Sequence, residues 1–175
     1  MVTRRFGAAG VSCLMIGGHA VNHYGVTRAT QDIDFMIAAT DATTVLDIMK
    51  SEGFTNTAIH ETVMFFNRPG SPLRVDFLPV DPHTMTHLWA GAVKVDGPEG
   101  HPLWVPSLPD LLAMKVFSLV SGGARRRDRD LTDVVHLAVE NSLDVERDLR
   151  PLFLKYGAHE WIDEARSRIE ALRHA

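Results

Sequence analysis

The sequence predicts an α/β fold that gives way to an all-helical C-terminal part. Short β-rich runs separated by glycine and proline turns alternate with helical patterns as far as residue 105, and from Ser107 onward apolar residues recur three or four apart. The chain of 175 residues, 45% apolar and 23% charged, has the composition of an ordinary globular protein. A chain of this size buries roughly 70% of the surface its unfolded form exposes, enough for one sizeable core with a small helical appendage. The expected division is an α/β core over residues 1–105 and a helical subdomain over residues 106–175.

The elements follow in order. Ser12 to Ile16 is a short apolar run ended by Gly17-Gly18, after which His19 to Tyr24 begins a helix. Asp32 to Ile37 alternates polar and apolar and then turns wholly apolar, as a strand entering a core does. Asp41 is the expected N-cap of a helix to Ser51, with Val45, Leu46, Ile48 and Met49 on its buried side and Gly53 as the stop. Thr62 to Phe66 and Leu73 to Val80 flank the turn Pro69-Gly70-Ser71-Pro72 as a hairpin. Asp81-Pro82 opens a short helix to Ala90, and Val93 to Val95 and Leu103 to Val105 flank the turn Gly97-Pro98-Glu99-Gly100. Ser107 caps a helix to Val120, and further helices are expected near 128–141, 144–156 and 159–173.

Charge and cysteine content narrow the function. With 18 Lys plus Arg against 22 Asp plus Glu, the net charge of −4 excludes a molecule built to coat nucleic acid, so any such contact must be local. The single cysteine, Cys13, excludes an internal disulfide and a multi-thiolate zinc site and fits a reducing compartment. Apolar runs of about five residues are far short of a spanning helix, and the opening Met-Val-Thr-Arg-Arg-Phe is not followed by a signal sequence. A cytoplasmic protein without a membrane partner is expected. His19 with His23 and His83 with His87 have i, i+4 spacing but lack the glutamate of a zinc-protease motif, and the serine-hydrolase, P-loop and dinucleotide signatures do not occur.

The residues that carry chemistry are carboxylates. Asp32 and Asp34, two apart on a strand, point to one face with Cα atoms about 6.7 Å apart. Asp76, on a later apolar strand, completes a triad if the two strands are adjacent. Packed together, such groups repel by about 4 kcal/mol per pair at 4 Å and an effective dielectric of 20. A divalent cation removes that penalty, and oxygen-only ligands suit Mg²⁺ or Mn²⁺. Two such ions can clamp the attacking and leaving oxygens of a phosphoryl displacement. The competing reading of Asp76 is an edge-strand carboxylate paired with Arg74 on the same face.

Gly17-Gly18-His19-Ala20, followed by Arg28-Ala29-Thr30-Gln31-Asp32-Ile33-Asp34, resembles the opening motif of the DNA polymerase beta type nucleotidyltransferases. The form is similar to the branch of minimal enzymes that includes the AbiEii and MenT toxins. Asp76, Lys115 and the segment Arg127-Asp128-Arg129-Asp130-Leu131-Thr132-Asp133 extend the resemblance over most of the chain. It implies a mixed β-sheet flanked by helices and followed by a helical bundle. It also implies transfer of a nucleoside monophosphate from a nucleoside triphosphate, ATP among them, to an acceptor hydroxyl with release of pyrophosphate. In that scheme Gly17, Gly18, His19, Arg28 and Thr30 contact the nucleotide, and Asp32, Asp34 and Asp76 bind metal. Asp76 would also draw the acceptor proton. Lys115 neutralises phosphate charge, and Asp130 orients Lys115 or the nucleotide, with Asp133 the other candidate. Lys115 would then matter to the triphosphate and not to folding, unless it is only a solvated helix lysine. Asp130 and Asp133 have a plainer reading as acids at a helix N-terminus.

The acceptor is open between RNA, tRNA above all, a protein and an antibiotic, and the toxin-like branch adds a cognate antitoxin as a partner. A catalytically silent module that binds nucleotide or a partner is the rival from another class. Arg125, Arg126, Arg127 and Arg129, after a flexible Ser121-Gly122-Gly123, form a local basic segment suited to the phosphates of an RNA, or else a solvated helix start.

Overall fold

The computed structural model describes residues 2–60, 62–97 and 100–174, which form two compact units: Met1–Ala20 with Ala29–Ser107, and Val21–Arg28 with Leu108–Ala175. Of the expected turn at residues 97–100, Pro98 and Glu99 lie outside the described residues. The helical unit begins near the expected boundary, but it also takes in residues 21–28 from the first half of the chain.

In the first unit, a helix α1 (Val2–Ala8) leads into strand β1 (Cys13–Ile16), and helix α2 (Gly17–His23) starts directly at Gly17, its residues from Val21 on belonging to the second unit. Then come β2 (Asp32–Ala38), α3 (Ala42–Ser51), β3 (Thr55–His60), β4 (Val63–Asn67), β5 (Arg74–Val80), α4 (Pro82–Ala90), β6 (Val93–Asp96) and β7 (Pro102–Val105). Five strands form a mixed sheet in the order β1-β2-β5-β4-β3, in which only β2 and β5 run parallel, while β6 and β7 form a separate two-stranded ladder.

Alternation along the strands gives the sheet two faces of different chemistry. Phe35 and Ile37 on β2, Val75 and Phe77 on β5, and Met64 and Phe66 on β4 are all buried in one core with Val45, Ile48 and Met49 of α3. Phe77 is its centre, with the rings of Phe6, Phe35 and Phe66 at 5.6, 5.5 and 5.7 Å. The contact with Phe6 explains why α1 forms. It has one large apolar side chain and a glycine in seven residues, too little for a periodic pattern, and it is held by packing rather than propensity. The intervening residues, Asp32, Asp34, Arg74 and Asp76, share the opposite face.

Two caps came out differently. Asp81 caps α4 as expected, accepting from the Thr84 N–H at 2.9 Å with Pro82 at the first helical position. Asp41 does not cap α3: a 3₁₀ turn over Ala39–Asp41 gives it helical angles, and its side chain makes no capping bond. Gly53, at φ 80°, supplies the left-handed residue after α3.

The second unit holds α5 (Leu108–Ser121), α6 (Ala124–Glu140), α7 (Arg150–Lys155) and α8 (Ile162–Arg173). α6 starts four residues before the expected position, so Arg125 to Arg127 lie in its first turn. Gly122 and Gly123 are therefore a two-residue corner and not an open linker. The Gly122 N–H donates to the Ser118 carbonyl at 2.8 Å, and a Cβ there would stand 2.6 Å from that same oxygen. Among the described residues no helix is long and apolar enough to cross a membrane.

Candidate active site

The parallel pairing of β2 with β5 places Asp34 opposite Asp76 and Asp32 opposite Arg74. Three carboxylates and one guanidinium thus occupy a two-by-two patch on the polar face of the sheet. Asp32 and Asp34 are half-buried, whereas Asp76 is only 5% exposed. β5 is the middle strand of five, so the edge-strand description of Asp76 does not hold.

The pairing with Arg74 does hold. Its Nε donates to Asp76 Oδ1 at 2.8 Å and its terminal nitrogen to Oδ2 at 2.7 Å, a two-bond fork that satisfies both oxygens of a carboxylate too buried to rely on water. The guanidinium lies over the Phe65 ring, 4.6 Å from its centroid. Phe65 is the β4 residue in register with Asp76, which is why its ring can lie under the ion pair. Hydrogen bonding to Asp76 pushes the Arg74 pKa further above its ordinary value, against the opposing effect of desolvation, and the charges of Asp76, Asp32 and Asp34 add to it.

At the β1–α2 junction, Gly17 has φ 65°, and a Cβ there would overlap the Asp34 carboxylate. Gly18 is buried, and a Cβ on it would stand 2.8 Å from the Thr30 side chain. Both glycines are thus needed for close approach, and Gly17 also for its left-handed backbone conformation. Thr30 donates from its hydroxyl to the Asp32 carbonyl at 3.3 Å, tying the loop to the start of β2. His19 is half-buried in the first turn of α2.

The donor set of the patch is all oxygen, which fits Mg²⁺ or Mn²⁺ in kind. In its arrangement, no three histidine, cysteine or carboxylate side chains converge as a ready-made cation cage among the described residues. Asp76 is turned onto Arg74.

In the helical unit, Lys115 of α5 meets Asp130 and Asp133, one turn apart on α6. Its Nζ is 2.8 Å from Asp130 Oδ1 and 2.7 Å from Asp133 Oδ2. Arg28 reaches the same Asp133 Oδ2 at 2.6 Å, its backbone held by Asn22, which accepts from the Arg28 N–H and donates to its carbonyl. Arg126 stands 3.7 Å from Asp130 Oδ2, an oxygen with no hydrogen-bond partner among the described residues. Lys115 at 9%, Asp130 at 2% and Asp133 at 3% exposure are all buried. Lys115 is therefore no solvated lysine. Asp130 and Asp133 lie well inside α6, past its first turn, and both pair with Lys115. The tie between Arg28 and Asp133 has no local signal in the sequence, since 105 residues separate them.

Residues 4–173 match the model of the family described as nucleotidyl transferase AbiEii toxin, type IV TA system. The fold and the family match define the class, a nucleotidyltransferase with a mixed sheet flanked by helices, and within that class the chain belongs to the AbiEii family. An antigenic nucleotidyltransferase-like protein from Paracoccidioides brasiliensis superposes with a TM-score of 0.61 at 16% identity, over 96% of this chain and 88% of its own. The antibiotic-resistance factor ANT(2'')-Ia, in complex with adenylyl-2''-tobramycin, gives 0.62 at 12% identity, over 99% and 95%. A lincosamide antibiotic adenylyltransferase with lincomycin bound gives 0.51 at 15% identity, over 78% and 93%. At such identities these likenesses speak for the fold alone. No curated protein matches the sequence.

Proposed function

We propose that this chain is a divalent-metal-dependent nucleotidyltransferase that moves a nucleoside monophosphate from a nucleoside triphosphate, ATP among them, to an acceptor hydroxyl and releases pyrophosphate. The observation that carries the reading is the β2–β5 register, which sets Asp34 opposite Asp76 with Asp32 on the same face, beside glycines that leave no room for side chains.

Asp32, Asp34 and Asp76 would hold Mg²⁺ or Mn²⁺. When bound, the cation supplies charge neutralisation for the phosphates and for the oxygens that attack and leave. Gly17 and Gly18 bring backbone N–H groups close to the triphosphate, with His19 and Thr30 beside them. Asp76 is the candidate to take the proton of the acceptor hydroxyl, which requires that it first release Arg74. Lys115 and Arg28, in the helical unit, are assigned to the phosphate charge, with Asp130 and Asp133 fixing where their cationic groups stand.

The acceptor we favour is RNA, tRNA in particular, and the role that of a cytoplasmic toxin with a cognate antitoxin. Support comes from the family match and from the arginines at the start of α6. The test is incubation of the purified chain with Mg²⁺ and each labelled nucleoside triphosphate, with and without total RNA. Label on RNA supports the full reading. Label only on protein or on an aminoglycoside moves the acceptor and keeps the chemistry, and no transfer to anything leaves a silent nucleotide-binding module.

A further inference from the structure

Arg74 differs from the other cations of its unit in what it touches. Its Nε and a terminal nitrogen each donate to Asp76, one to each oxygen, so the positive charge sits squarely on the carboxylate. The guanidinium is not locked in. Its side chain is 41% exposed against 8% for Asp76, and it also lies on the flat face of Phe65, along which a planar group slides without losing a directional bond. Asp32 is its partner across the strands, and Asp34 is the partner of Asp76. A cation entering among these carboxylates therefore meets a resident one.

We propose that Arg74 is an exchangeable counter-cation. In the metal-free protein it neutralises Asp76, and a divalent ion binds in competition with it, displacing the guanidinium along Phe65 toward solvent. The inference rests on the reading of Asp32, Asp34 and Asp76 as metal ligands. A buried Asp76 beside two further carboxylates would be costly if left alone, and the fork with Arg74 offsets that cost. The same fork must weaken metal binding, since a divalent ion held by Asp76 and the guanidinium on the same carboxylate repel one another. This makes Arg74 a positioning residue whose removal strengthens, rather than weakens, the affinity for the ion.

The test is a Mn²⁺ titration of the full chain followed by the electron paramagnetic resonance signal of free Mn²⁺, with no nucleotide present. Arg74→Gln removes the charge and the fork, and it should bind Mn²⁺ about ten- to hundredfold more tightly than the wild type, the equivalent of losing hydrogen bonds between charged groups. Arg74→Lys keeps a point charge without the fork and should fall between the two, and it serves if Arg74→Gln folds poorly. In EDTA, the melting temperature of Arg74→Gln should lie below that of the wild type, and Mn²⁺ should raise it by more. Equal or weaker Mn²⁺ binding by both variants, with the wild type binding well, overturns the exchange and leaves the metal reading standing. If neither the wild type nor the variants bind Mn²⁺, the metal reading falls, and the exchange with it.

Discussion

Asp34 and Asp76 face each other across the one parallel pair in the main sheet, although 42 positions apart in the chain. Side-chain alternation sets each on the polar face while its neighbours Phe35 and Phe77 stack 5.5 Å apart in the core beneath. The register that packs the aromatic rings is therefore the register that pairs the carboxylates. A one-residue slip would exchange the two sets, so the core fixes the site.

Loss of a carboxylate should then stop transfer without unfolding the chain. Asp34→Ala, Asp32→Ala and Asp76→Asn should each remove Mg²⁺-dependent transfer of label from a nucleoside triphosphate while circular dichroism remains that of the wild type. Core packing lies on the other face and is untouched. A variant lacking all three carboxylates that still transfers label at the wild-type rate would end the mechanism.

A different outcome is expected for Lys115. The sequence suggests that its loss leaves the fold alone, but the side chain is buried between Asp130 and Asp133. Removing one partner of a buried ionic group leaves uncompensated charge and costs about 3–5 kcal/mol. Lys115→Met should lower the melting temperature by roughly 6–20 °C at 2–4 °C per kcal/mol. Asp130→Asn combined with Lys115→Met should recover part of the loss, because it removes the charge left stranded, whereas Asp133 keeps Arg28. A melting curve unchanged in Lys115→Met would show that the network contributes nothing to folding.

Much of this was legible in the sequence, and the gaps have physical causes. Asp32 and Asp34 could be placed on one strand face because two-residue spacing fixes their side without knowledge of the fold. The strand of Asp76 was equally plain, but its partners were not, because register depends on pairing between segments far apart in the chain. Phe65 under Arg74 follows from that pairing and left no local trace. The burial of Lys115 was hidden by α5 itself, where Leu111, Leu112, Val116 and Leu119 are buried while Phe117 and Val120 are exposed, so hydrophobicity alone does not mark the inner face.

Acid should loosen the turn that leads into α7. Asp148 accepts from Arg147 Nε at 2.8 Å and from the Asp144 N–H at 2.8 Å, while Asp144 accepts from the Arg147 N–H at 2.7 Å. The hydrogen bonds from Arg147, then that from Asp144, lower the Asp148 pKa from 3.8 to about 2. A depressed folded-state value means that the stabilisation is fully present above the unfolded value and is lost as pH falls from about 4 through about 2. Carboxyl NMR should show Asp148 titrating near 2, and Asp148→Asn should flatten the acid limb of the stability curve in that window. A chemical shift that moves near 3.8 would show that the reciprocal caps are not formed in solution.

RNA binding by the arginines at the start of α6 gives the last prediction. The four are not equivalent in the folded chain. The side chain of Arg125 lies outside the described residues, and Arg127 lines a cavity of about 190 Å³ with Trp161 and Arg168, its buried Nε without a hydrogen-bond partner among the described residues. Arg126 and Arg129 are exposed, the former 3.7 Å from Asp130. If this segment grips the phosphates of a single strand, each contact contributes about 0.7 to the slope of log affinity against log salt. Arg126→Ala with Arg129→Ala should therefore flatten the slope by about 1.4, and adding Arg125→Ala and Arg127→Ala should take it further only as far as those two reach phosphate. Arg127→Ala alone should act chiefly through packing and lower the melting temperature more than it changes the slope. An unchanged slope in the Arg126, Arg129 pair, measured by fluorescence anisotropy across a salt series, rejects the RNA grip and leaves the carboxylate chemistry as it stands.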